Sequence, residues 1–303
     1  MVIYSVMLEV LKTFWKTKPY LILLIVIASL AFVLFLLFSG LPLKDHEPVS
    51  IQPVVASSAD YEVIDVGSLL AGADELWYYD AGLDERYAAF ASLRPELSVD
   101  EIVWMVAVNL DLPPYSETSE IADPESITAL ITKYWYLPEE YAPADLVSAG
   151  QSMMRGEAAE SMNEMIKAAR EEGHRLWVQS GYRSFGLQAE LFEKYAQRDG
   201  EEAAEYFSAR AGHSEHQSGL TADLNTITDA FGTTREGIWA AENCWRYGFI
   251  VRYTAENTEI TLYKPEPWHM RYIGRDAAEE MYYLGIPSFE EYWVKYIKYN
   301  PES

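Results

Sequence analysis

The chain has 303 residues, of which half are hydrophobic and 14% are aromatic, so it can bury a substantial core and is not a disordered protein. Its 23 Lys and Arg residues against 47 Asp and Glu residues give a formal charge of −24. This charge argues against a nucleic-acid partner and against peripheral binding to anionic lipid. The single cysteine, Cys244, excludes an intramolecular disulfide.

The first predicted element is a transmembrane helix. Residues 20–38 are apolar except for Ser29, and at about 1.5 Å per residue they match the hydrocarbon thickness of a bilayer. Lysines at 12, 16 and 18 precede this run. The positive-inside rule then predicts a cytoplasmic segment 1–19, a membrane anchor at 20–40 and an extracytoplasmic remainder, which places the protein in the cell membrane. A cleavable signal peptide is the alternative, but the run is long for one and residues 39–42 are a poor cleavage site.

The next segments carry weaker patterns. Residues 41–60 contain three prolines and no periodicity, and they predict a linker. We interpret residues 61–150 as the N-terminal part of the extracytoplasmic domain, with a separate module as the alternative. Ser98 and Glu101 form a capping-box pattern ahead of an apolar run, so a helix is expected to begin near Val99. The short apolar run 127–135 is compatible with either helix or strand.

From residue 151 to 303 the elements are clearer, and this part is predicted to be the catalytic core. Helices are expected at 158–173, after an N-cap at Ser184, at 201–211, 239–247 and 277–284, and after a capping box at Ser288. Strands are expected at 175–180, 220–224, 249–252, 260–263 and 268–272, with 249–252 and 260–263 forming a pair. These elements predict an α+β fold with a small, mostly antiparallel sheet flanked by helices.

Two stretches carry residues suited to a metal. GHSEHQSGLTADLN, at 212–225, contains His216 and Asp223 seven residues apart, and KPEPWHMRY, at 264–272, contains Glu266 and His269. Two imidazoles and a carboxylate are a ligand set for catalytic zinc, which needs three protein ligands and one open position for water. Zinc held by His216, Asp223 and His269 would lower the pKa of that water to about 7.

Two further residues would complete a hydrolytic site. Glu266 is placed to accept a proton from the water and pass it to a leaving amine. Arg183, in SGYRS at 180–184, offers a fixed cation for the oxyanion that forms when water attacks an amide. Together these stretches predict metal-assisted amide hydrolysis.

The order SGYRS with Gln188 downstream, then SEHQSGLTAD, then EPWHMRY, resembles the VanY-type D-alanyl-D-alanine carboxypeptidase family, within the wider zinc peptidases that include LD-carboxypeptidases. The resemblance covers roughly residues 105–285; Ala211 and Thr221 depart from the usual pattern without touching a predicted ligand. It implies a zinc DD-peptidase or hedgehog-like fold and one zinc ion per chain. It also implies activity on peptidoglycan stem peptides, most simply removal of the terminal D-alanine. The implied residues are His216, Asp223 and His269 as zinc ligands, Glu266 as general base and Arg183 as oxyanion stabiliser.

Several alternatives stay open from the sequence. His213, three residues before His216, competes with it as a ligand. Gln188, Ser214 and Trp268 are candidates for contacting substrate, but solvent-facing, capping or core roles are equally compatible with their types. Cleavage by an LD-carboxypeptidase or an endopeptidase is an alternative with the same mechanism, and a non-catalytic wall-peptide-binding module is a further one. An iron oxygenase is disfavoured because its first histidine and acid generally lie two residues apart, and here they lie seven apart.

Overall fold

The structure is a computed structural model that describes Gly67 and residues 70–299. Two hydrophobic clusters form the core of this part of the chain. All of these residues belong to one compact unit, Val63–Ser303. The sheet cluster packs helix residues such as Met162 and Met165 against strand residues such as Ala222 and Met270. The helical cluster gathers residues from both ends of the unit, and its main members are Tyr87, Phe90, Ile102, Val103, Trp104, Val106, Phe289, Tyr292 and Val294.

The helices are, in chain order, α1 Asp84–Leu93, α2 Val99–Ala107, α3 Gly156–Glu171, α4 Phe185–Asp199, α5 Glu201–Glu205, α6 Arg235–Asn243, α7 Thr258–Thr261, α8 Arg275–Leu284 and α9 Phe289–Trp293. Short 3-10 turns lie at Ala73–Glu75, Ala81–Leu83, Glu215–Ser218, Asp229–Thr233 and Cys244–Tyr247, and a π-helical turn at Val294–Lys298 follows α9. The strands are β1 Ser119–Glu120, β2 Trp135–Tyr136, β3 Leu146–Ala149, β4 Ser152–Arg155, β5 Val178–Ser180, β6 Thr221–Leu224, β7 Phe249–Val251 and β8 His269–Tyr272.

A four-stranded sheet with the order β5-β6-β8-β7 carries the site, and every neighbouring pair in it is antiparallel. Because side chains alternate along a strand, the sheet presents two faces. On one face Ala222 pairs with Met270 and enters the sheet cluster. On the other face Asp223 pairs with His269, so residues far apart in sequence meet through strand register. The α+β architecture with a small, mostly antiparallel sheet is thus present.

Local capping explains where several helices begin. Ser98 and Glu101 form the full capping box of α2, in which each side chain accepts a hydrogen bond from the other residue's backbone N–H. Ser184 caps α4 by accepting from the backbone N–H of Leu187, and Ser288 caps α9 by accepting from that of Glu291. These three predicted helix starts are confirmed.

Two predicted elements are wrong. The expected strand 260–263 is instead the short helix Thr258–Thr261, and β7 pairs with β8. Asn257 accounts for this turn, because its side chain accepts from the backbone N–H of Thr254 and donates to the carbonyls of Arg252 and Pro287. The expected helix 201–211 ends at Glu205. Beyond it, the carbonyl of Ala209 accepts a hydrogen bond from Gln188 Nε2 at 2.6 Å in place of a helical bond.

The membrane part of the predicted fold class requires a correction. Among the residues that the structure describes, no helix combines the length and the apolarity that crossing a bilayer requires. The segments interpreted as cytoplasmic N-terminus (1–19), transmembrane helix (20–40) and linker (41–60) lie outside the described residues. The described residues therefore support the α+β part of the predicted fold class, and none of their helices is a membrane span.

A candidate metal centre

Strand register brings together the first two predicted ligands. Asp223 on β6 lies directly opposite His269 on β8, and paired residues of antiparallel strands point to the same face. The Oδ1 atom of Asp223 is 3.4 Å from Nδ1 of His269. Ser180, at the end of β5, pairs with Asp223 on its other side, so Asp223 lies between two strands and is rigidly held.

A tight turn supplies the third ligand. His216 lies in the 3-10 turn Glu215–Ser218, and Gly219 then turns the chain into β6 with a φ of 69°. A Cβ at Gly219 would lie 2.9 Å from a side-chain carbon of Leu146, so space and backbone conformation both require glycine. This turn brings Nε2 of His216 to 3.3 Å from Oδ2 of Asp223.

The three side chains form a group that fits a metal ion. Each of His216, Asp223 and His269 is buried, and one ligand atom from each lies within 4.8 Å of the other two. Within the described residues, Oδ1 of Asp223 accepts no hydrogen bond. A buried carboxylate oxygen without a donor is costly unless a cation compensates it. Two imidazole nitrogens and one carboxylate oxygen are the donors that zinc takes in catalytic sites.

The hydrogen-bond partners of the histidine ring nitrogens show which nitrogen of each ring faces this group. The carbonyl oxygen of Gly181 lies 2.7 Å from Nδ1 of His216, and because a carbonyl can only accept, that nitrogen carries the hydrogen. Nε2 of His269 lies 3.2 Å from a carboxylate oxygen of Glu215. Nε2 of His216 and Nδ1 of His269 are therefore the nitrogens with lone pairs for a metal.

Three carboxylates lie close to the ring of His269. Burial alone would lower the pKa of His269, but the carboxylates of Asp223 and Glu215 close to its ring raise it to about 9. Glu266 adds a third carboxylate, with Oε2 3.5 Å from Nδ1 of His269. Burial, reinforced by the charge of Asp223, raises the pKa of Glu266 to about 7. A cation at the centre of the group would be attracted by the carboxylates of Asp223 and Glu266.

Arg183 approaches the same group from the end of β5. Its backbone N–H donates to the carbonyl of His216 at 3.1 Å, which ties the SGYRS turn to the ligand turn. Burial lowers the pKa of the guanidinium, but arginine stays charged in proteins. Within the described part of the chain, Nε of Arg183 has no hydrogen-bond partner. A buried donor of this kind is available to an anionic group that enters the site.

The three predicted substrate contacts line the same cavity. Gln188 uses its amide nitrogen to hold the carbonyl of Ala209, and its Oε1 atom lacks a partner among the described residues. Ser214 is buried beside the ligand turn, whereas Trp268 belongs to the sheet cluster and also borders the cavity. One cavity of about 120 Å³ is thus lined by all eight residues singled out from the sequence: Arg183, Gln188, Ser214, His216, Asp223, Glu266, Trp268 and His269.

His213 does not join the group. Its Nδ1 atom lies 2.8 Å from the backbone oxygen of Thr132, and its ring packs edge-on against Tyr115 at 5.0 Å between ring centres. These contacts attach the ligand turn to the segment that precedes the core. Of the two competing histidines, only His216 lies within reach of Asp223 and His269.

The sequence patterns missed the charged residues behind the metal group. Glu215 is fully buried and is contacted by His269, Arg252 and Arg271. The arginines more than offset the burial and hold the pKa of Glu215 far below its usual range. One signal in the sequence could have found Glu215, because it is a charged residue directly before the predicted ligand His216. Tyr253 was also missed, and its ring lies 4.7 Å from that of His269.

This arrangement is that of a metal-dependent hydrolase. Residues 151–275 match the family described as VanY, D-alanyl-D-alanine carboxypeptidase. Over 201 residues the chain is 36% identical to YodJ of Bacillus subtilis (strain 168), provisionally named a carboxypeptidase, and the match covers 61% of this chain and 73% of YodJ. A D-alanyl-D-alanine carboxypeptidase of Enterococcus faecium is 40% identical over 122 residues, which are 40% of this chain and 38% of that protein.

The chain is also similar to a solved structure. The LdcB LD-carboxypeptidase aligns with a TM-score of 0.56 and 36% identity, over 59% of this chain and 91% of that chain. The chain belongs to the VanY family of D-alanyl-D-alanine carboxypeptidases. The resemblance seen in the three motifs is confirmed, and so is the prediction of a metallopeptidase of this type.

Proposed function

We propose that this protein is a zinc D-alanyl-D-alanine carboxypeptidase that removes the terminal D-alanine from peptidoglycan stem peptides. The observation that carries the proposal is the buried group of His216, Asp223 and His269 with Glu266 and Arg183 beside it in one cavity. A zinc ion bound there supplies a Lewis acid and lowers the pKa of a water to about 7.

Glu266 has the position and the protonation behaviour of a general base. Its carboxylate lies beside the ligand nitrogen of His269, and its raised pKa, about 7, is close to the pH at which proton transfer in both directions is efficient. Its backbone is held by a hydrogen bond from its own N–H to the carbonyl of Tyr253 at 2.9 Å. We infer that Glu266 takes a proton from the attacking water and gives it to the departing amine.

Arg183 has the charge and the free donor for the oxyanion. Arg183 is half-buried in the cavity wall, and its buried Nε–H, which has no partner among the described residues, is available to charge that develops on the scissile carbonyl oxygen. Because this Nε atom is shielded from solvent, such a preformed donor stabilises the transition state more than a solvated cation would.

The size of the cavity supports removal of one terminal residue. Pockets that enclose whole ligands usually measure about 300–1,000 Å³. The cavity of this protein, at about 120 Å³, suits a single small residue such as alanine.

Wall peptides lie outside the cytoplasm, so the proposed substrate requires an extracytoplasmic catalytic domain. That location stays a prediction.

A second candidate is an LD-carboxypeptidase with the same residues in the same roles. The observation in its favour is the alignment with the LdcB LD-carboxypeptidase, which covers nearly all of that chain. The two candidates differ in the configuration of the residue before the scissile bond, so the choice of peptide separates them.

The test is mass spectrometry of the full-length protein incubated with zinc and a muramyl pentapeptide, a tetrapeptide or a cross-linked dimer. We expect one D-alanine to be lost from the pentapeptide alone, with activity abolished by a chelator and restored by added zinc. Cleavage of the tetrapeptide would favour the LD-carboxypeptidase, and cleavage of the dimer an endopeptidase. No cleavage of any substrate by folded, zinc-loaded protein would contradict the proposal.

A further inference from the structure

Behind the metal group lies a buried network of four charged side chains. Glu215, Arg252, Arg271 and Glu290 are each no more than 2% exposed. Arg252 donates from Nε to Oε1 of Glu215 at 2.8 Å and, through its other two nitrogens, to both oxygens of Glu290 at 3.0 and 2.6 Å. Arg271 also donates to Oε1 of Glu215, at 3.0 Å. Two arginines and two glutamates balance each other, so the network needs no further charge.

The two oxygens of Glu215 have different partners. Oε1 accepts from both arginines, whereas Oε2 faces Nε2 of His269 at 3.2 Å. An ionised carboxylate can only accept, so Oε2 requires a hydrogen on Nε2. In a neutral imidazole that hydrogen leaves the lone pair on Nδ1, the nitrogen that points toward Asp223.

We propose that Glu215 is a positioning residue for the metal site, fixing His269 in the tautomer and orientation that present Nδ1 to the metal. This inference rests on the proposed zinc site but assigns a role to a residue that does not contact the metal. Glu290, on α9, extends the network to the C-terminal part of the unit by holding Arg252. Arg271 donates to Oε1 of Glu215 without contacting Glu290, so it holds this carboxylate independently of Glu290.

A Glu215→Gln variant changes the hydrogen-bond direction with little change of shape. Because both arginines are donors, the amide oxygen must face them, and the amide NH₂ must then face His269. An NH₂ group can only donate, so it favours the tautomer of His269 with the lone pair on Nε2 and the hydrogen on Nδ1. In that tautomer Nδ1 has no lone pair for the metal. Loss of such a supporting contact typically weakens metal affinity by about 10–100-fold.

The experiment measures zinc affinity of the full-length protein by competition with a chromophoric chelator. We expect Glu215→Gln to weaken zinc binding by about 10–100-fold. Glu290→Gln is the matched control, because it removes a charge from the same network without touching His269. It should lose thermal stability but keep the native zinc affinity. Equal affinity in Glu215→Gln and native protein would overturn the inference, and so would an equal loss in both variants.

A second measurement needs no variant and therefore does not depend on how well Glu215→Gln folds. Nitrogen-15 spectra of the zinc-loaded native protein report which ring nitrogen of His269 is coordinated. Coordination through Nδ1, with a slowly exchanging hydrogen on Nε2, is the expected result. Coordination through Nε2 would overturn the role of Glu215 while leaving the zinc site in place. Failure of the native protein to bind zinc would instead reject the proposed function and this inference with it.

Discussion

The metal centre and the helical cluster bury their side chains in opposite ways. Around the metal centre, buried ionisable groups lie beside groups of opposite charge, as in the contacts of Glu215 with Arg252 and Arg271. In the helical cluster, residues such as Ile102 and Val106 are buried by apolar contact, and ionic contacts such as Lys295 with Asp100 lie at its more accessible edge. Apolar burial supplies most of the stability of a domain, whereas buried ion pairs often contribute little net stability. The comparison predicts that changes at the centre alter chemistry, and that changes in the helical cluster alter folding.

The largest expected effect is on catalysis. Glu266→Gln should reduce kcat/KM by about 10²–10⁴-fold, because it removes the group that accepts the proton from the attacking water. Zinc content should remain close to one ion per chain, because Glu266 is not among the three ligand residues. Steady-state kinetics with the pentapeptide and elemental analysis of the same sample provide the two readouts.

The pH profile is the control for this role. Burial raises the pKa of Glu266 to about 7, and a bound cation would lower it again, so the acid limb of kcat/KM should fall at or below pH 7. Activity should rise with pH through this limb, since the base acts only when deprotonated. If Glu266→Gln keeps native activity, or keeps the same acid limb, another group is the base.

A core truncation should have its main effect on folding. Ile102→Ala removes a fully buried side chain from α2 and should lower the free energy of unfolding by about 2–5 kcal/mol. Leu93→Ala, at a position that is 77% exposed, is the matched control and should stay within about 0.5 kcal/mol of the native protein. Urea unfolding measures both. A marked loss of kcat in folded Ile102→Ala would show that the two regions are not energetically separate.

Zinc removal should destabilise the strands of the metal centre more than the helical cluster. Zinc at about 100 times its Kd should add about 2.7 kcal/mol to the free energy of unfolding. On chelation, the backbone amides of β6 and β8 should lose hydrogen-exchange protection, because without the cation their carboxylates and imidazoles are no longer balanced. The amides of α2 should exchange as before. Uniform loss across both regions would indicate that the unit unfolds as one body when zinc leaves.

The sequence predicts these two regions unequally well. The metal-binding motifs can be recognised in the sequence because zinc accepts few types of ligand. The strand pattern of 268–272 also predicts that Trp268 and Met270 face the core while His269 faces the opposite side of the sheet, as the structure has them. The role of Glu215 was not predictable, because its meaning depends on Arg252 and Arg271, which reach it through the tertiary fold. The strand expected at 260–263 failed for a similar reason, since side-chain bonds of Asn257 override a weak local preference.

The smallest expected effect is on the free energy of unfolding, from a change at the N-cap of α2. Residues 98–101 predict this cap from the sequence alone. Ser98→Ala removes the side-chain acceptor for the N–H of Glu101 and should lower the free energy of unfolding by about 0.5–2 kcal/mol. It should leave kcat/KM and zinc affinity unchanged, because α2 packs in the helical cluster and contributes no residue to the cavity. Ser98→Asp is the conservative control, since aspartate also caps helices and should restore most of the loss. If both variants unfold like the native protein, the start of α2 is stabilised by its apolar packing, and the capping box adds little.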